Sequence, residues 1–226
     1  TLSDKDFDYL DSNKKEFVKT VLPIIINENQ NILMIRSFVN ELKGKLETFR
    51  TLNNNEIRKL NDIAKKYNIK YQNKHKLDLV DEILSNVDVI PNSIVLAQAA
   101  IESGWGKSRF AKEYNALFGE YTYDDSEGVI PLERENGDTH LIKAFSSYRD
   151  SSNSVESYFD NINSHYAYED FRDIRNIMRK RNNFSNVNLL VNKLSTYAED
   201  ENYIKTIRQV IKTNNFGIFD QKTISY

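Results

Sequence analysis

Residues 91–106, PNSIVLAQAAIESGWG, decide how this chain is read. Pro91 suits the first turn of a helix because its fixed φ is already helical, and Ser93 offers a hydroxyl to an early amide. The run VLAQAAI that follows is apolar almost all round and built of small residues. That is the pattern of a helix covered on every side, not of an amphipathic surface helix. Gly104 marks the end, so Glu102 falls in the last turn.

A carboxyl group in that place faces the negative end of the helix dipole, and Ile101 and Trp105 flank it with apolar bulk. Both effects favour its protonated form. A general acid for glycoside cleavage needs that bias, because it must hold a proton near neutral pH and deliver it to a leaving oxygen. A helix glutamate taken alone is an ordinary solvated charge. At the mouth of a buried helix it must instead open onto a cleft, since an unpaired buried charge is costly. Trp105, the only tryptophan, reads equally well as a sugar platform and as a core anchor.

Working outward, Asp4 to Phe49 has helical spacing, with Pro23 read as the first turn of a new helix. Ile24, Ile25, Leu33, Ile35, Phe38, Val39, Leu42 and Leu46 form its apolar stripe. An Asn-rich cap opens a helix carrying Ile57, Leu60, Ile63 and Ala64, and Leu77 to Val87 repeats the pattern. On the other side of the central segment the period changes. FGEYTY (118–123), GVIPLE (128–133) and THLIKAF (139–145) alternate or carry β-branched and aromatic residues, and ENGD (135–138) reads as a turn. Helical spacing resumes over 154–162, 168–179, 187–194 and 201–211, and the tail after Asn214 reads as irregular. The expected fold is α+β and mostly α. A helical catalytic domain over 71–226 carries a small antiparallel β-lobe at about 117–147, and an N-terminal helical extension, 1–70, packs on it as scaffold.

Composition agrees with long helices and few turns, with seven Gly and three Pro in 226 residues. The net charge of −2 comes from 31 basic and 33 acidic residues that are interspersed, so no nucleic-acid partner is expected. There is no cysteine, which excludes thiol catalysis and thiolate metal sites. No apolar run reaches the ~18–20 residues of a membrane span. The chain begins at Thr1 without a signal core, which suggests a processed or trimmed product. GWG lacks the spacing and lysine of a phosphate loop, and there is no G-x-S-x-G elbow. His75, His140 and His165 are too scattered for a local metal motif, so neither metal nor cofactor is expected.

The stretch PNSIVLAQAAIESGWGKSRFAKEYNALFGEYTY resembles the signature of glucosaminidase-domain peptidoglycan hydrolases similar to glycoside hydrolase family 73, especially the Bax-like bacterial branch. The likeness continues through GVIPLERENGDTHLIKAF, SVESYFDNINSHYAYEDFR and LSTYAEDENYIKTIRQVI, and reaches back to KKEFVKTVLPIIINENQNI. It implies a lysozyme-like α+β fold in which the catalytic glutamate, here Glu102, ends a central helix and faces a β-lobe across a sugar groove. The family's tyrosine motif falls on Tyr197, with Tyr203 as its second tyrosine; read by itself, Tyr197 is a packed aromatic near a helix end. Asn115 matches the asparagine before Leu-Phe-Gly and reads first as a fold-locking hydrogen-bonder, then as a sugar contact. His140 and Tyr148 fall where the family lines its groove.

A second carboxylate is harder to choose. Glu120, Asp124, Asp125, Glu127, Glu133 and Glu135 all lie on the expected lobe, with Glu120 and Glu127 ranked first. A 2-acetamido group on the substrate would make any of them unnecessary. The resemblance implies a β-N-acetylglucosaminidase acting on the glycan strand of peptidoglycan at a periplasmic or cell-surface location. The alternatives are a lytic transglycosylase, although the Gly-Leu-Met-Gln motif of many such enzymes is absent, and a wall-binding module without catalysis.

Overall fold

The computed structural model describes residues 2–131, 137, 139–145, 151–184 and 186–222. Nine α-helices are seen among them: α1 (Ser12–Glu47), α2 (Asn54–Lys66), α3 (Lys76–Asn86), α4 (Asn92–Glu102), α5 (Arg109–Tyr114), α6 (Ser152–Ser164), α7 (Glu169–Lys180), α8 (Val187–Val191) and α9 (Tyr203–Thr213). Three short strands, β1 (Tyr121–Thr122), β2 (Gly128–Val129) and β3 (Leu141–Lys143), make an antiparallel sheet in the order β1-β3-β2. The fold is therefore mostly helical with a small antiparallel lobe. Of the expected ENGD turn, only Gly137 is described, with φ +95°; Glu135, Asn136 and Asp138 lie outside the described residues.

The chain gathers into two compact units, each assembled from separated stretches. One holds residues 1–27, 91–158 and 206–226, and the other 28–90 and 159–205.

In the first unit α4 is the axis. Every residue from Asn92 to Ala100 is buried. Ala97, Ala99 and Ala100 present so little side chain that neighbouring elements can approach the helix closely. Gln98, its one polar residue in mid-helix, accepts a hydrogen bond from the Tyr158 hydroxyl, and the Tyr158 ring stacks on Phe118 at 4.3 Å. The N-terminal end of α4 is held by the described part of the tail, 215–222, which forms a 3-10 turn where its sequence suggested irregular chain. A 3-10 turn over Phe216–Phe219 buries both phenylalanines. That turn brings Asp220 to accept from the Ser93 amide at 2.8 Å and from the Ser93 hydroxyl at 2.8 Å. Asn92 donates to the Phe219 carbonyl at 2.8 Å. The signal for this turn was missed because its two phenylalanines are too close together to show a period.

Burial pushes the Asp220 carboxyl above its ordinary value of 3.8, against the two Ser93 hydrogen bonds that lower it. A folded pKa above the unfolded one means that the group favours the folded state most below pH 3.8 and loses that contribution as pH rises through the folded value. Asp220→Asn, which has no such titration, should gain stability relative to the parent as pH rises from the acid side. Urea unfolding at a series of pH values measures this. A constant difference between the two proteins would show that Asp220 does not titrate on folding.

A second departure lies at Pro23, which does not begin a new helix: α1 runs through it without interruption. An interior proline costs about 3 kcal/mol. Val21, Leu22, Ile25 and Ile26, all buried around it, supply the apolar burial that holds the helix together there.

In the second unit α2 starts on a reciprocal cap. Asn53 Oδ1 accepts from the Glu56 amide at 2.9 Å, and Glu56 Oε2 accepts from the Asn53 amide at 2.9 Å. The C-terminal end of α3 is clamped by arginines. Arg36 donates to the carbonyls of Leu84 and Val87 at 2.7 and 2.6 Å, and Arg175 to those of Asn86 and Asp88 at 2.7 and 2.9 Å. Cations at a helix C-terminus satisfy its orphan carbonyls and oppose its dipole. The fully buried Asp88 carboxylate pairs with Arg179 and lies 3.4 Å from Arg36 Nε.

Candidate active site

Glu102 is the last residue of α4 and is half-buried. The turn after it is unusual, because Gly104, Trp105 and Gly106 have φ of +57°, +58° and +74°. Glycine takes such angles freely, whereas a tryptophan in the left-handed region is strained by about 1–2 kcal/mol. Ser103 holds this turn: its hydroxyl donates to the Ala99 carbonyl at 2.5 Å and accepts from the Gly106 amide at 2.8 Å. The Trp105 ring packs against Phe17 at 5.7 Å and Phe216 at 6.0 Å, with Lys14 Nζ 5.0 Å from its centroid. Those contacts make it an anchor for the turn.

The segment entering the lobe passes directly beside Glu102. Asn115 ends α5 in the left-handed conformation, φ 53°, and its Nδ2 donates to the Phe145 carbonyl at 3.1 Å. The Leu117 amide donates to Ser154 Oγ at 3.0 Å. Ala116, Leu117 and Phe118 are then buried, and Gly119 follows with φ +61°. A Cβ at Gly119 would stand 3.4 Å from Glu102 Oε2, so the backbone itself forms part of the wall around that carboxylate. Glu120, the next residue, is half-buried with Oε2 shielded from solvent.

Other lobe carboxylates are placed differently. Glu127 is half exposed and lies 3.8 Å from Lys143 Nζ. Asp124 accepts from the Ser126 hydroxyl and amide at 2.6 and 2.8 Å, which holds its carboxyl below the ordinary value. It is spent on its own turn. Asp125 is exposed. Glu133, Glu135 and Tyr148 lie outside the described residues. His140 stacks on Tyr121 at 4.0 Å and 22°, and Tyr121 remains 60% exposed. A stacked pair with one ring open to solvent is a ready aromatic surface on the lobe. Neither Tyr121 nor Gly119 was singled out from the sequence. The alternation of Tyr121 and Tyr123 in FGEYTY is the signal that pointed to the first.

In the second unit Tyr197 is half-buried. It lies parallel to the buried Tyr203, with centroids 5.9 Å apart and planes at 5°, and 6.2 Å from Tyr168. The ring is thus held by aromatic contacts.

A family described as mannosyl-glycoprotein endo-beta-N-acetylglucosaminidase, the glucosaminidase family, matches residues 77–216, more than half of the chain and the whole span from α3 to the tail turn. The chain belongs to the glucosaminidase family. Among the family's relatives it is similar to the protein bax of Escherichia coli strain K12, 31% identical over 187 residues, which cover 82% of this chain and 63% of that protein. It is also similar to the peptidoglycan hydrolase FlgJ of Escherichia coli O157:H7, 32% identical over 96 residues, which cover 38% of this chain and 30% of that protein. The match thus spans less than two thirds of the length of either relative. Among solved structures, the catalytic domain of the autolysin Auto from Listeria monocytogenes is similar at TM-score 0.44 and 18% identity, covering 86% of this chain and 97% of that one. The described candidate site residues, from Glu102 to Tyr203, fall inside the matched span.

Proposed function

We propose that this glucosaminidase-family chain hydrolyses the β-1,4 bond on the reducing side of N-acetylglucosamine in peptidoglycan, with Glu102 as the general acid. The observation that carries the reading is the setting of Glu102, at the C-terminal end of a helix buried from Asn92 to Ala100, with the Gly119 backbone against its carboxylate. A carboxyl at the negative end of a helix keeps its proton more readily than one in water. The anchored turn of Ser103, Gly104, Trp105 and Gly106 fixes where that proton is delivered. The exposed Tyr121 ring beside His140 offers the apolar face that a pyranose ring stacks on. Peptidoglycan lies outside the cytoplasmic membrane, so the site of action is periplasmic or at the cell surface.

Tyr197 is assigned to handling the reacting sugar, on the family's tyrosine motif and the stacking that holds its ring. Among the lobe carboxylates Glu120 is the first to test as the second group: it follows Gly119, and one of its oxygens is shielded, whereas Glu127 lies within reach of Lys143. Glu120→Gln should lower turnover if the second group is a protein carboxylate. A substrate acetamido group in that role would leave turnover intact.

Gly119→Ala tests the wall. The left-handed φ strains any other residue by about 1 kcal/mol, which is about 2–4 °C in the unfolding midpoint for a chain of this size. The added methyl stands in van der Waals contact with the carboxylate at 3.4 Å, so a backbone that shifts to relieve the strain moves the wall against the reacting group, where ångström-scale misplacement costs up to about 10²-fold. We expect a loss of wall hydrolysis of at least about tenfold with a folded, slightly less stable protein. Full activity in the variant would remove Gly119 from the site.

A further inference from the structure

In the second unit a cavity of about 250 Å³ opens beside the segment that leads into Tyr197. One wall is the 3-10 turn Tyr166–Tyr168 with the first turn of α7, and the other is the stretch from Asn192 to Thr196. The two walls are tied together. Thr196 Oγ1 donates to the Ala167 carbonyl at 3.3 Å, Lys193 Nζ pairs with Asp170 at 3.2 Å, and Tyr168 meets Tyr197 ring to ring. The Ala167 amide donates to His165 Nδ1 at 3.2 Å, which fixes the turn from behind. The cavity is therefore preformed, and a ligand need not order it.

Its lining has two kinds of chemistry. Glu169, Asp170, Asn192, Lys193 and the hydroxyls of Ser195 and Thr196 supply closely spaced hydrogen-bond donors and acceptors. Tyr166 stands at its rim: its ring leans on His165 at 4.4 Å, yet the residue remains 81% exposed and open to a ligand held in the mostly polar cavity. An aromatic this exposed has no role in the core. The space is below the ~300–1,000 Å³ of pockets for drug-sized ligands, so it suits one small polar unit. A flat apolar face beside a ring of polar groups matches a pyranose, whose C–H face stacks on an aromatic and whose edge presents hydroxyls.

We propose that this cavity is a saccharide subsite that binds one N-acetylhexosamine unit, with Tyr166 as its platform. The assignment of that sugar to the substrate's glycan strand rests on the function proposed above. The cavity is a binding site and carries no bond-breaking step.

The test is a titration of the ¹⁵N-labelled Glu102→Gln chain with an N-acetylglucosamine tetramer, and separately with a sugar-free stem peptide, followed by amide shifts. Shifts at Tyr166, Asn192, Ser195 and Thr196 with the sugar are expected. Tyr166→Ala on the same background should weaken binding about 3- to 10-fold, the range for loss of one aromatic contact. In the catalytic parent the same substitution should raise KM for glycan strands by a similar factor and leave kcat within about twofold, because it removes binding shared by ground and transition state. Folding is not at risk from the change, since the ring is exposed, and Asn192→Ala provides a second exposed variant. The inference is overturned if the sugar leaves these amides unmoved, if only the peptide moves them, or if both variants bind the tetramer as tightly as their background. The function proposed above fails separately, by Glu102→Gln digesting wall as fast as the parent, and the titration reads the cavity whichever way that result falls.

Discussion

Glu102→Gln should lower hydrolysis of purified peptidoglycan by about 10²–10⁴-fold, the contribution of a positioned general acid, while leaving the unfolding midpoint nearly unchanged. The amide keeps the shape of the side chain and its place at the end of α4, but has no proton to give to a leaving oxygen. A half-buried position at a helix C-terminus is not one that stability requires to be charged, so the variant should fold as the parent does. Rates on insoluble wall, read as clearing of a suspension, with unfolding followed in parallel by circular dichroism, separate the two effects. A variant that clears wall at the parental rate would remove Glu102 from catalysis. One that loses activity and unfolds at a much lower temperature would make its role structural.

The largest effect on stability is expected at the arginine clamp. Desolvation opposes the charge on the buried Asp88, but the Arg179 hydrogen bonds and the nearby charges of Arg175, Arg36 and Arg179 outweigh it, so its carboxyl stays below the ordinary value of 3.8. Burial likewise brings the fully enclosed Arg175 down to about 10, against the attraction of Asp88. Asp88→Asn leaves three guanidinium groups without their only charged partner among these groups, and breaking a buried pair in this way costs about 3–5 kcal/mol. The midpoint should fall by about 6–20 °C. The pH dependence has a definite sign. A folded pKa below the unfolded one gives stability that is present above pH 3.8 and is lost as pH falls through the folded value. The gap between parent and variant should therefore be widest at neutral pH and close on acidification, opposite in direction to the expectation for Asp220. Thermal unfolding across that range measures both. A gap that is small and flat would mean that the carbonyls of Leu84, Asn86 and Val87 hold the arginines without Asp88.

Much of the fold was legible because its signals are local. The apolar run around Ala97 announces a buried helix, the Asn-rich stretch before Ile57 announces a cap, and alternation in FGEYTY and THLIKAF announces strands. Glu102 was placed at the end of its helix for the same reason, since Gly104 stops it. What stayed hidden depends on distant partners. Nothing near Asp220 says that its carboxylate will meet Ser93, and nothing near Gly119 says that its backbone will touch Glu102. Pro23 misled because a local rule was overridden by burial of the residues around it. The interleaving of three chain segments in one unit with two in the other, three of the unit boundaries falling inside α1, α6 and α9, leaves no composition shift to read. Trp105 was open between platform and anchor, and its packing on Phe17 and Phe216, both far away in sequence, could not be read from the residues around it.

The central claim, acid-catalysed hydrolysis beside N-acetylglucosamine by Glu102, is tested most directly by mass spectrometry of the soluble fragments released from purified peptidoglycan by the parent and by Glu102→Gln. The parent should release fragments that end in reducing N-acetylglucosamine with one water added across the broken bond, and the variant should release almost none. Fragments that end in anhydro-N-acetylmuramic acid, one water lighter, or equal release by the variant, would contradict it.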